Sequence, residues 1–71
     1  MMKNELRSVM IKNGDTGNTL AEALGISAPA LSNMLNGKRP FRFQDVAIIS
    51  ERYDLSGDDI DRIFFTLGVA Q

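Results

Sequence analysis

Apolar residues recur along the 71-residue chain at spacings of three and four, and the runs are broken by turns that contain glycine or proline. Leu6, Val9 and Met10 mark one face of a helix over about 3–12, which Asn13-Gly14 closes with a pair suited to a left-handed cap. Leu20, Ala21 and Leu24 form a narrow stripe on a second helix over 17–24, capped by Asp15 or Thr16 and stopped by Gly25. Ile26 then turns inward. Ser27 is a good N-cap for a third helix from residue 28, and Pro29 lies in its first turn, where a missing N–H does little harm. Leu31, Met34 and Leu35 share one side of that helix, and Gly37 is placed to end it.

Residues 39–42 read as a connector, with Phe41 plugging the core. Val46, Ile49 and Tyr53 point inward from a fourth helix over 43–53, whose start has Arg42 where a capping serine or aspartate is expected. Ser56 with Asp59 forms a capping box for a fifth helix over 57–65, which carries Ile60, Ile63 and Phe64. Residues 66–71 are expected to fray. Sustained alternation is missing, so the expected class is all-α.

The length fits one domain over 1–71, near the lower limit of what folds alone, and a hydrophobic share of 44% supplies one small core. Without cysteine or histidine there are no disulfides, no thiolate chemistry and no usual zinc set, so neither metal nor cofactor is expected. No apolar run approaches the roughly 20 residues that span a bilayer. The first residues lack the apolar stretch of a signal peptide, which gives a cytoplasmic protein with no membrane partner as the expectation.

The net charge of −1 conceals a division. Residues 1–42 hold six basic and three acidic side chains, whereas residues 43–71 hold two basic and six acidic ones. A basic half can face phosphates while the acidic half faces away.

The third helix sharpens this. At about 100° per residue, Ala28, Pro29, Ser32, Asn33 and Asn36 fall within an arc of roughly 140°, opposite the apolar side. Small residues at the N-terminal end allow close approach to a surface. Serine and asparagine can both donate to and accept from base edges, and alanine or proline can touch a thymine methyl. A helix ending at Leu24, a turn containing Gly25 and a new helix from Ala28 give the helix-turn-helix layout over about 16–37. Lys38 and Arg39 follow directly, where they can reach a phosphate.

The stretch TGNTLAEALGISAPALSNMLNGKRP, residues 16–40, resembles the helix-turn-helix of the Cro/repressor-type (XRE-like) regulators. Thr16, Leu20, Ala21, Leu24, Gly25, Ile26, Ser27, Leu31, Ser32, Asn36, Gly37, Lys38 and Arg39 agree with that family's pattern. Residues 40–65 are similar to the second half of small phage- and prophage-borne regulators of the same class. The resemblance implies a five-helix repressor-like DNA-binding domain. It assigns Ala28, Pro29, Ser32 and Asn33 to base edges. Thr16, Gly17, Asn18, Asn36, Lys38, Arg39 and Arg42 are assigned to phosphates. Two departures stand out: Gly17 replaces the family's common glutamine, and the recognition face has no arginine or glutamine.

Other features carry less. Asp54, Asp58, Asp59 and Asp61 do not follow the order of a calcium loop and suit a helix N-terminus. The run GDTGNT lacks the lysine of a phosphate-binding loop. No nucleophile or acid–base pair has a recognisable spacing, so no enzyme is expected. Phe64, Phe65 and Leu67 exceed what one short helix buries, leaving core filling and a two-fold dimer patch both open. Two function classes follow. The first is a Cro-like repressor that binds double-stranded operator DNA as a weak or DNA-assisted homodimer. The second is an interaction module of the same fold that binds another phage repressor.

Overall fold

The computed structural model describes residues 4–65 and 67–70. Five helices follow one another: α1 (Glu5–Lys12), α2 (Gly17–Leu24), α3 (Ala28–Leu35), α4 (Phe43–Arg52) and α5 (Gly57–Phe64). The class is all-α, as the apolar spacing implied. Among the described residues no helix is long and apolar enough to cross a membrane.

Four of the five helices start where a side chain takes up their free N–H groups. Asn4 Oδ1 accepts from Leu6 N–H at 3.0 Å and from Arg7 N–H at 3.3 Å, so α1 begins at Glu5, and Lys3 lies outside the described residues. Thr16, not Asp15, caps α2: its hydroxyl oxygen accepts from Thr19 N–H at 3.2 Å, and Thr16 N–H donates to Thr19 Oγ1 at 2.8 Å. Ser27 Oγ accepts from Ala30 N–H at 3.2 Å at the start of α3. The Ser56–Asp59 box forms in both directions, each bond 3.1 Å. At the far ends, α4 stops at Arg52 and α5 at Phe64, one residue earlier than the pattern suggested, with Tyr53 and Phe65 as C-caps. Asp54 takes a left-handed conformation (φ 53°) that lets Leu55 N–H reach Ser50 O at 2.9 Å.

The fully buried centre is Leu6, Leu20, Leu31, Phe41 and Ile49, with Ile63 alongside. α2 packs most extensively on α3, α1 packs on α5, and α2 also touches α4. Phe41 meets Phe64 edge to face, ring centres 5.2 Å apart. Residues 67–70 depart from the expected fraying. Gly68 O accepts from Phe41 N–H at 3.0 Å and Ala70 N–H donates to Phe41 O at 2.8 Å, tying this segment to the α3–α4 connector. Thr66 and Gln71 lie outside the described residues.

Two ion pairs stand out. Asp45 is completely buried and receives three bonds from Arg42: from backbone N–H at 3.1 Å, from Nε at 3.0 Å and from Nη2 at 2.8 Å. Burial pushes the Asp45 carboxyl up, but the guanidinium and the backbone N–H outweigh it and leave it below the ordinary range. Asp45 thereby ties the first turn of α4 to the Arg42 N–H, but no side chain caps the first helical N–H groups, because a guanidinium has no acceptor.

Asp15 is the second. It accepts from both Arg52 Nε and Nη2 at 2.7 Å, from Tyr53 O–H at 2.6 Å and from Thr19 O–H at 2.8 Å. The Arg52 bonds, then the Tyr53 hydroxyl, hold its carboxyl well below the usual carboxylate range. The resulting stabilisation is complete above about pH 4 and disappears as pH falls through the folded value. Asp15→Asn is therefore expected to cost about 1–3 kcal/mol at pH 7, part of the charge term being screened at the partly exposed Arg52. The deficit should shrink below about pH 4. Thermal melts from pH 7 to pH 2 measure this, and a deficit independent of pH would refute it.

Candidate nucleic-acid interface

The α2–turn–α3 unit is built from a close helix crossing. Ala21 sits at the contact, 2% exposed, with Leu20, Leu31 and Leu35 around it and Ile26 packed against the cluster. The turn depends on Gly25 (φ 71°), which lets Ile26 N–H reach back to Ala21 O at 3.0 Å. A side chain at this φ is strained whatever space surrounds it.

With Leu31, Met34 and Leu35 buried, the opposite face of α3 points to solvent. Pro29, Ser32 and Asn33 are exposed and Ala28 is half-buried. The side chains of Ser32 and Asn33 make no hydrogen bond among the described residues. Beyond the C-cap Asn36, Gly37 (φ 75°) reverses the chain: Gly37 N–H bonds Met34 O at 3.2 Å and Lys38 N–H bonds Asn33 O at 2.9 Å. That reversal satisfies the last carbonyls and fixes where Lys38 and Arg39 leave the helix. Both are exposed, and neither has an ion-pair partner among the described residues.

The start of α2 is exposed as well. The backbone N–H groups of Gly17 and Asn18 donate to nothing among the described residues, which leaves two oriented donors at a helix N-terminus. Thr16 is exposed, but its hydroxyl oxygen is already used as the cap. A side chain at position 17 would meet nothing within 4 Å, so packing does not require the glycine there.

Two of the expected site residues are engaged within the fold. The Arg42 guanidinium lies on Asp45, because a fully buried carboxylate needs a charged partner, while the Arg42 side chain stays 42% exposed. Phe64 leaves the candidate dimer patch: it is 4% exposed and packs on Phe41, because the α5 stripe points that ring into the core. Leu67 is half-buried against the same cluster, while Phe65 is 87% exposed.

Sequence reasoning also missed Arg7, whose Nη2 donates to Asn36 Oδ1 at 3.2 Å. Arg7 and Asn36 are 29 residues apart, and no local spacing signals such a contact.

Two helices crossing through small residues, a glycine-pinned turn and an exposed second helix with basic residues at its end define a helix-turn-helix. Residues 4–63 match the model of a helix-turn-helix domain family. The chain belongs to that family, which gives DNA as its class of partner. Neither a curated protein nor a solved structure matches the chain.

Proposed function

We propose that this protein is a sequence-specific transcriptional regulator, a Cro-like repressor of phage or prophage type, that occupies operator DNA with α3 in the major groove. The carrying observation is the α3 face: Pro29, Ser32 and Asn33 are exposed, the side chains of Ser32 and Asn33 make no hydrogen bond among the described residues, and two cations without an ion pair there follow at once. Ala28 and Pro29 permit close approach and offer apolar contact. Ser32 and Asn33 supply the donors and acceptors that distinguish bases. Asn36, Lys38 and Arg39 hold one phosphate run, and the free N–H groups of Gly17 and Asn18, beside Thr16, hold another. These phosphate contacts set the register in which four small side chains can read sequence.

The recognition face has no arginine or glutamine for a two-bond contact to one base. Selectivity then rests on several weaker contacts, on DNA shape and on pairing of two copies across two half-sites. Phe65 is the side chain best placed for that pairing, being large, apolar and almost fully exposed. Repression follows from occupancy: in the cytoplasm, a dimer on the operator blocks polymerase.

The test is fluorescence anisotropy with DNA from around the protein's own gene, against a scrambled duplex, at two salt concentrations. Site-selective binding that weakens steeply with salt supports the reading. Ser32→Ala with Asn33→Ala should narrow the gap between the two duplexes by about tenfold while leaving the salt slope unchanged. Equal binding to both duplexes, or none up to tens of micromolar, overturns it and turns the search to protein partners.

A further inference from the structure

We propose that Arg7 on α1 belongs to the DNA-backbone contact and sets the polarity of Asn36 there, an inference that rests on the DNA-reading function above. A carboxamide has two different ends, an accepting oxygen and a donating NH2, and either can face outward. Phosphate oxygens only accept, so an Asn36 that turned its oxygen outward would repel the backbone it is meant to hold. A guanidinium only donates. Whatever part of Asn36 meets Arg7 must therefore be the oxygen, and Arg7 Nη2 meets it at 3.2 Å. The NH2 group is left facing away from Arg7, in the donating sense a phosphate needs.

The position of Arg7 is itself built. Asn4 caps α1 with its oxygen and donates from Nδ2 to the carbonyl of Leu35 in the last turn of α3. That joins the first turn of α1 to the end of α3. Arg7 lies three residues after Asn4, on the same side of α1, while Leu6 and Met10 take the core side.

Arg7 is exposed and pairs with no carboxylate among the described residues, unlike Arg42, Arg52 and Arg62. Its one side-chain bond is to a neutral amide, so its charge is uncompensated. With Lys38 and Arg39, two and three residues beyond Asn36, it makes a group of three cations around the end of α3 that form no ion pair among the described residues.

The experiment compares wild type, Arg7→Ala, Arg7→Lys, Asn36→Ala and the Arg7→Ala/Asn36→Ala double variant. Anisotropy on the duplex that wild type selects is read across a salt series, with thermal melts to confirm folding. Arg7→Ala should weaken binding about tenfold and reduce the log–log salt slope by about 1. Arg7→Lys should keep the slope, since lysine is also a donor-only cation. Asn36→Ala should cost much less in the Arg7→Ala background than in wild type, because without Arg7 the amide is no longer held donor-outward. A purely structural role for Arg7 would move the melts but neither the slope nor this coupling. Wild-type-like binding by Arg7→Ala, or losses that simply multiply in the double variant, would overturn the inference alone. A wild type that selects no duplex would remove the DNA reading and this inference with it.

Discussion

Replacing Lys38 and Arg39 together by alanine is expected to weaken operator binding about 100-fold near physiological salt and to lower the salt slope by about 2. The two side chains are exposed and form no ion pair among the described residues, and Asp45, the carboxylate that feels Arg39, is already held by Arg42, so the folded state loses little with them. The turn that presents them is held by backbone bonds, Gly37 N–H to Met34 O and Lys38 N–H to Asn33 O, and these survive the substitution. Thermal stability should therefore stay within about 0.5 kcal/mol of wild type. Because the contacts are to phosphate, the loss should be similar on selected and scrambled duplexes. Anisotropy titrations across a salt series measure all of this. Unchanged binding by a variant that melts normally would show that phosphate is held elsewhere.

The largest effect on stability belongs to Phe41. Its ring is fully buried and packs edge to face on Phe64, and its backbone N–H and carbonyl anchor residues 68 and 70. Phe41→Ala removes the ring and leaves a cavity where the connector, α5 and the last residues meet. The cost should be about 3–5 kcal/mol. A domain of this size has only about 5 kcal/mol or somewhat more in all, so the variant should be largely unfolded at 37 °C. Phe41→Leu keeps much of the volume and the backbone bonds. It loses the aromatic pair, and should cost about 1–2 kcal/mol. Urea unfolding of both variants gives the comparison. An alanine variant as stable as the leucine one would mean that the connector is not the keystone of this end of the fold.

The candidate interface was legible for the most part because it is made of neighbours in sequence. Ser27, Gly25 and Gly37 act on residues within five positions of themselves, so the turn, the register of α3 and the exits of Lys38 and Arg39 follow from spacing alone. Arg42 shows what that reasoning leaves out. It lies near a basic run and resembles a phosphate ligand, yet three residues on is Asp45, which the packing of α4 buries completely. Once buried, that carboxylate claims the nearest guanidinium. Phe64 shows the same gap: a helical stripe shows which residues share a face, but not that the Phe41 ring will cover this one.

The sequence by itself determined the helices, the N-caps of α3 and α5, that of α2 to within two neighbours, the helix-turn-helix and the face of α3 that reaches solvent. These depend on interactions within one or two turns, and local residue types specify them. The tertiary structure alone decided the long-range contacts. Asp15 meets Arg52 and Tyr53 across 37 and 38 residues, Arg7 meets Asn36 across 29, and Asn4 meets Leu35 across 31. Polar residues such as these have no periodic signature. Their partners are settled when the apolar stripes pack and bring distant helix ends together, and that packing also settles which cations are taken up in ion pairs.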